Sequence, residues 1–278
     1  MGIFDKVLIA SDFDGTIANS KSEITSEVKE AIKYFISEGG KFTVCTGRTK
    51  EGFHNFDKEI MNIPVLVANG AMAYDYLKDE IFTSLAMENK EKCTEVLKKM
   101  ADFCPTLGIE FYTVTHKTTC YRPNKENIEH FEFLKIPFEE IDSLENQEYP
   151  VIKALGIAEP KELKNLQNYL DTVDMGEIEY IPTDFERLEL HKKNVNKGTG
   201  VLHLASLYGI EKENVYVIGD GDNDVDMLGL IESFCPVSGT EKAKAAATHI
   251  VRSNDEGAVK HVIEILTEKY KNANADIN

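Results

Sequence analysis

The stretch VLIASDFDGTIANS spans residues 7–20. Four apolar residues, Val7–Ala10, run through Ser11 into two aspartates spaced one apart, Asp12 and Asp14, with Gly15 and Thr16 following at once. A short apolar run closed by turn formers predicts a buried strand over Val7–Ser11. Two like charges at the end of such a strand are unfavourable unless something positive meets them.

The neighbouring segments give that strand a context. Apolar residues at 28, 31, 32, 35 and 36 predict a helix over Glu27–Ser37, capped by Thr25 or Ser26 and ended by Gly39-Gly40. Lys41–Cys45 is strand-like and runs into Thr46-Gly47-Arg48, and Pro64–Ala68 runs into Asn69-Gly70. The same rhythm returns later. It gives a helix over Gly198–Tyr208, a strand over Val215–Ile218 ending at Gly219-Asp220, and short strands over Phe234–Val237 and His249–Val251. A final helix is expected over Ala258–Tyr270, with a frayed end from Asn272. Strands alternating with helices predict an α/β fold with a parallel sheet and right-handed crossovers.

The middle of the chain reads differently. Ile109–Val114, Thr118–Arg122, Val151–Ile157, Glu177–Ile181 and Phe185–Leu190 are strand-like, with a single helix expected over Lys161–Leu170. Adjacent strands favour an antiparallel α+β sheet. The expectation is an inserted domain over 83–188, carried by a core made of 1–82 and 189–278.

Bulk properties bound the function. The 278 residues are 42% hydrophobic, enough for a packed core. A net charge of −17 disfavours nucleic acid and anionic membrane as partners. It leaves room for a small anionic substrate, because local cations outweigh a distant field. The five cysteines, at 45, 93, 104, 120 and 235, form no CxxC pair and no zinc spacing, which suits a reduced, cytoplasmic protein. No secretory h-region and no bilayer-length apolar run occurs.

In open α/β sheets ligands bind beyond the carboxyl ends of the strands. Four polar clusters fall there: Asp12–Thr16, Thr46-Gly47-Arg48, Lys197 at a helix start, and Asp220-Gly221-Asp222-Asn223-Asp224. Three or more carboxylates at one point make a hard oxygen site suited to Mg²⁺. With Mg²⁺ and Lys197 present, such a site accepts a phosphate dianion, and the Thr46 hydroxyl and nearby backbone N–H groups can bind the remaining oxygens. One aspartate can then act as nucleophile and another as proton donor. An EF-hand reading of the last cluster fails, because Val225 takes the required glycine place and Ile231 the bidentate glutamate place. Gly39-Gly40-Lys41 is no P-loop end, since Phe42 replaces the Ser/Thr and the stretch precedes its strand.

Taken together, the clusters resemble the four motifs of the haloacid dehalogenase-like hydrolases. DFDGT is similar to their DxDx[TV] signature, TGR to the second motif, Lys197 to the third, and GDGDND to the GDxxND form of the fourth, in the right order. The insert resembles a type IIB cap, and Asn69-Gly70-Ala71 resembles the NGA stretch of the Cof-type phosphatases. The resemblance implies a Rossmann-like parallel-sheet core with an inserted α+β cap that sets specificity. It also implies that Asp12 attacks phosphorus to form an aspartyl-phosphate, and that Asp14 protonates the leaving oxygen and then activates water. Mg²⁺ would be held by the carboxylates of Asp12 and Asp220 and by the backbone carbonyl of Asp14, with Asp224 and Thr16 in support. Phosphate would be held by the N–H groups of Phe13 and Gly47 and by Thr46, Lys197 and Asn223; Asp222 receives no role.

The expected activity is Mg²⁺-dependent hydrolysis of a small phosphate ester, a sugar phosphate or a phosphorylated cofactor. A phosphosugar mutase on the same scaffold and a non-catalytic sugar-phosphate sensor are the alternatives. Candidate specificity residues are His116, Arg122 and Lys153 in the insert, and His191 at the return from it. None of the seven histidines pairs at HxH or HExxH spacing, and the acidic runs read as solvated faces.

Overall fold

The computed structural model describes residues 2–53, 57–115, 117–182 and 187–275. Its strands are β1 (Leu8–Ser11), β2 (Lys41–Val44), β3 (Val65–Val67), β4 (Met72–Asp75), β5 (Glu80–Ser84), β6 (Gly108–Thr113) and β7 (Thr118–Tyr121). They continue as β8 (Glu139–Ile141), β9 (Val151–Ile157), β10 (Ile178–Pro182), β11 (Arg187–Lys192), β12 (Val215–Ile218), β13 (Glu232–Pro236) and β14 (His249–Val251). The helices are α1 (Ser26–Ser37), α2 (Lys90–Phe103), α3 (Lys125–Leu134), α4 (Pro160–Leu170), α5 (Lys197–Leu207), α6 (Val225–Leu230), α7 (Glu241–Ala246) and α8 (Ala258–Ala275). The chain divides into two compact units: Met1–Gly47, Asn55–Phe82 and Asn196–Asn278 in one, Arg48–His54 and Thr83–Val195 in the other.

The first unit is built on a five-stranded sheet in the order β14-β13-β12-β1-β2, with every pairing parallel. β1 lies inside the sheet, between β12 and β2, and is wholly buried. That burial explains its unbroken apolar run, because a parallel strand covered on both faces has no polar side. The chain leaves β1 for β2 on one side and returns through β12 on the other. Such a reversal opens a crevice at the carboxyl end of the strand, and Asp12 sits there. α1 starts where Thr25 accepts a hydrogen bond from the Val28 N–H, buries Val28, Ile32 and Phe35, and is followed by Gly39 at φ +94°. A three-stranded sheet, β3-β4-β5, follows Pro64. α8 runs on to Ala275, past the fraying expected at 272.

The second unit holds a six-stranded sheet in the order β10-β11-β9-β6-β7-β8, antiparallel except where β7 meets β8. One face carries Ile109, Phe111, Ala154, Leu188 and Leu190, which join the buried side of α2 (Val96, Leu97, Met100) and of α4 (Leu163, Leu166, Leu170) in one core. The alternate residues, Glu110, Lys153 and Glu189 among them, point to the opposite face, as the period of two requires. The return at 189 expected from sequence needs correction. Glu189 lies inside β11, where Arg187–Leu190 pair with β9 and Leu188–Lys192 pair with β10, so this unit extends to Val195. Of the strand expected over 185–190, the residues before Arg187 lie outside the described residues.

All five cysteines are buried free thiols. Among the described residues, no helix is long and apolar enough to cross a membrane.

Candidate active site

Asp12 continues the β1 ladder, its N–H bonded to the Ile218 carbonyl of β12 at 2.8 Å. The backbone then winds through Phe13–Ile17, closed by a bond from the Ala18 N–H to the Phe13 carbonyl at 3.0 Å. Gly15 stands at φ +78°, and a Cβ there would lie 2.4 Å from Asp220 Oδ2. Only glycine lets this loop pass so close to the aspartate. One residue later the buried Thr16 hydroxyl donates to Asp220 Oδ1 at 2.5 Å. Asp14, just before Gly15 in the winding, is exposed.

Lys197 arrives through a glycine crossing. Ala68, Asn69 and Gly70 all have positive φ, and a Cβ on Gly70 would lie 2.8 Å from the Asn196 carbonyl oxygen. A Cβ on Gly200 would lie 2.6 Å from Gly70 Cα. The turn after β3 therefore presses directly on the first turn of α5, which Asn196 and Thr199 cap reciprocally. Lys197 is fully buried, and its ammonium donates to Asp12 Oδ1 at 2.5 Å and to Asp224 Oδ1 at 2.6 Å.

The loop after β12 is wrapped around Asp224. Its Oδ2 accepts the N–H groups of Asp220 at 3.0 Å and Gly221 at 2.9 Å. A Cβ on Gly219 would lie 2.6 Å from Asp224 Cγ, so the glycine ahead of Asp220 is part of the same device. Oxygens of Asp12, Asp220 and Asp224 lie within 4.8 Å of one another. That donor set fits a hard divalent cation. Asp224 already spends one oxygen on Lys197 and the other on backbone N–H groups, which leaves Asp12 and Asp220 better placed to ligate.

The electrostatics follow from burial. Removal from water pushes the Asp12 carboxyl up to about 7, with Lys197 pulling it down and Asp224 and Asp220 pushing it further up. Asp220 is raised by burial and by Asp224, against the Thr16 hydrogen bond. For Lys197, burial favours the neutral amine, but Asp12 and Asp224 outweigh it and hold the ammonium charged well above the usual lysine range. The site is a buried cation among carboxylates still short of positive charge.

The adjoining strand supplies the second cluster. The Cys45 N–H bonds to the Ser11 carbonyl at 2.8 Å, so Thr46 follows one strand over from Phe13. Thr46 is buried, and its carbonyl accepts the Asn69 N–H at 3.0 Å. A Cβ on Gly47 would lie 3.0 Å from Asn69 Oδ1 and 3.6 Å from Asn223 Nδ2, so Gly47, Asn69 and Asn223 converge. The geometry thus gathers Asp12, Thr16, Lys197, Asp220 and Asp224 in direct contact, and Thr46, Gly47 and Asn223 beside Asn69. The roles of Gly70 and Gly200 escaped the sequence reading, although two glycines flanking polar motifs were a visible signal.

The candidates of the second unit are tied into their own sheet. Lys153 pairs with Glu189 at 2.6 Å, both largely buried. The Arg122 guanidinium lies 4.8 Å from the Tyr121 ring centre. His191 is buried, 4.0 Å from Glu179. His116 lies outside the described residues.

Comparison with known proteins agrees with this geometry. The family model described as haloacid dehalogenase-like hydrolase matches residues 9–263. A curated relative from Bacillus subtilis, 5-amino-6-(5-phospho-D-ribitylamino)uracil phosphatase YwtE, is 28% identical over 93% of this chain and 97% of its own. A solved haloacid dehalogenase-like hydrolase from Bacteroides thetaiotaomicron is 26% identical, with a TM-score of 0.78 over 94% of this chain and 99% of that one. A sugar phosphatase of subclass IIB shares the fold at 22% identity and a TM-score of 0.75, over 94% of this chain and 99% of that one. The chain belongs to the haloacid dehalogenase-like hydrolases.

Proposed function

We propose that this Cof-type phosphatase hydrolyses a small phosphorylated metabolite through an aspartyl-phosphate on Asp12, with Mg²⁺ as cofactor. The observation that carries the reading is the buried Lys197 ammonium shared between Asp12 and Asp224 beside Asp220. A nucleophilic carboxylate must be ionised, and Lys197 is the group of this chain that favours ionisation of Asp12.

In the first step an Asp12 oxygen bonds to phosphorus as the bond to the leaving oxygen breaks, and Asp14 gives that oxygen its proton. Asp14 is exposed, as a group that exchanges protons with a leaving alcohol and with water should be. In the second step a water oxygen attacks the same phosphorus, Asp14 takes its proton, and the bond to Asp12 breaks to release phosphate. Thr46, Lys197, Asn223 and the N–H groups of Phe13 and Gly47 hold the phosphoryl oxygens through both steps. Mg²⁺ held by the carboxylates of Asp12 and Asp220 and the carbonyl of Asp14, with Asp224 and Thr16 in support, would neutralise the phosphate dianion and fix its orientation.

The unit Thr83–Val195 acts as the specificity domain in this reading, with Lys153, Arg122, His116 and His191 as candidates for contact with the leaving group. The substrate in this reading is a sugar phosphate or a phosphorylated cofactor; similar proteins include a 5-amino-6-(5-phospho-D-ribitylamino)uracil phosphatase and a sugar phosphatase. The buried thiols suit a reducing cytoplasm. The test is phosphate release from a broad panel of phosphorylated metabolites, 5-amino-6-(5-phospho-D-ribitylamino)uracil included, with and without Mg²⁺. Release dependent on Mg²⁺ and lost in Asp12→Asn supports the reading. An isomerised product without free phosphate would mark a mutase, and saturable binding without turnover a sensor.

A further inference from the structure

Asp222 sits between the motif aspartates, is exposed, and has no part in the chemistry above. Its carboxylate is nevertheless fully engaged, and with one place in the fold. Oδ1 accepts the Thr240 hydroxyl at 2.9 Å, and Oδ2 accepts the Lys242 ammonium at 2.7 Å. Thr240 in turn makes three bonds that all end at this corner. Its N–H donates to the Asp220 carbonyl at 2.8 Å. Its hydroxyl proton goes to Asp222, and its hydroxyl oxygen accepts the Ala243 N–H at 3.2 Å as the cap of α7. An ionised carboxylate can only accept, so the single hydroxyl proton of Thr240 goes to Asp222 while a lone pair takes the Ala243 N–H. Gly239, just before, would place a Cβ 3.1 Å from the Asp220 carbonyl oxygen and 2.6 Å from Cys235 Sγ, so the approach of the two loops demands a glycine.

The Asp220 backbone is therefore gripped at two points and its loop at a third. Asp224 holds its N–H, Thr240 holds its carbonyl, and the Thr240 hydroxyl holds the residue two positions on. Its side chain has the Thr16 bond as a further anchor. We propose that Asp222 and Thr240 form a clasp that positions Asp220 for the divalent cation, so that loosening the clasp weakens cation binding rather than the chemical step. The proposal rests on the reading of Asp220 as a cation ligand. Partners that orient a ligand change metal affinity without touching the metal.

The test is a calorimetric Mg²⁺ titration of the full chain, with the Mg²⁺-induced shift in melting temperature as a second readout. Asp222→Ala breaks the clasp and leaves the α7 cap in place; Thr240→Val breaks both. Each should weaken Mg²⁺ binding by about tenfold, and the double variant by less than the product of the two, since both remove the Asp222–Thr240 bond. At saturating Mg²⁺ kcat should stay within about twofold, and Thr240→Ser should restore affinity. Wild-type affinity in Asp222→Ala and in Thr240→Val overturns the clasp, as does an Asp222→Asn loss equal to Asp222→Ala with Thr240→Val unaffected, which would assign the effect to charge alone. If the natural protein itself shows no Mg²⁺ binding, the reading of Asp220 as a ligand fails, and the clasp with it.

Discussion

Replacing Lys197 by Met removes a buried charge while keeping most of the side chain's length. It leaves Asp12 and Asp224 facing each other without their shared counter-ion. Breaking a buried ion pair from one side destabilises by about 3–5 kcal/mol, because the remaining charge stays out of water. For a chain of this size, with an unfolding entropy of roughly 0.6 kcal/mol/K, that corresponds to a drop in melting temperature of roughly 5–9 °C. The loss should depend on pH, with a definite sign. In the cation-free natural protein the Asp12 carboxyl lies at about 7, above its ordinary 3.8. A raised carboxyl binds its proton better folded than unfolded, so its contribution falls as pH rises from about 4 to about 7 and is level above that. Without Lys197 the Asp12 carboxyl moves higher still, and stability keeps falling beyond pH 7. Lys197 is itself raised above its ordinary 10.5, so its own charge is constant between pH 6 and 9. The gap in melting temperature between the natural protein and Lys197→Met should therefore widen from pH 6 to pH 9, by about 1.4 kcal/mol for each pH unit through which only the variant titrates. Thermal melts in EDTA across that range measure it. A gap that is flat with pH, or absent, would refute the assignment of Lys197 as the charge that keeps Asp12 ionised.

Asp12→Asn should abolish phosphate release, since an amide is no nucleophile, while the cation-free protein at pH 8 melts no lower than the natural one; measurable turnover would end the covalent mechanism. Asp14→Asn should slow hydrolysis of alkyl phosphates by about 10²–10⁴-fold and of aryl phosphates much less, because a good leaving group needs little proton donation. Equal losses on both, read by phosphate release, would remove Asp14 as the acid. Exhaustive chelation should silence the enzyme, with Mg²⁺ restoring it and Ca²⁺ doing so poorly, because Ca²⁺ prefers more ligands at longer distances; steady-state rates with each ion decide this. Replacing the second unit by a short linker should spare hydrolysis of acetyl phosphate and erase the ranking of larger substrates, whereas an unchanged ranking would place selection in the loops of the first unit.

What the sequence made legible and what it hid separate along a physical line. Asp12, Lys197 and Asp220 were readable because each follows a buried strand or opens a helix, where a charge is conspicuous against its surroundings. Thr25 as the α1 cap was readable for the same local reason. α2 lies outside the elements expected from sequence although Cys93, Val96, Leu97 and Met100 repeat at helical spacing along its buried face. The β4–β5 pair was hidden by uneven exposure. β4 buries Met72, Ala73 and Tyr74 in succession, whereas β5 exposes Glu80, Ile81 and Phe82, so neither strand alternates cleanly. The expected boundary at 189 falls inside β11, where Leu188 and Leu190 face the apolar core and Glu189 and His191 the other side, so the junction is set by strand pairing that the residues at 188 and 189 do not announce. The contacts that set the site's finer geometry leave still less trace. Asp222 and Thr240 are 18 residues apart, and Gly70 and Gly200 are 130 apart. No periodicity links such pairs, since each is set by where two loops meet after folding. A motif therefore announces the kind of chemistry, while the strength with which its residues are held is written in partners that only the fold brings near. That is why Asp222, silent in the motif, is the residue of that loop whose replacement should separate cation binding from catalysis.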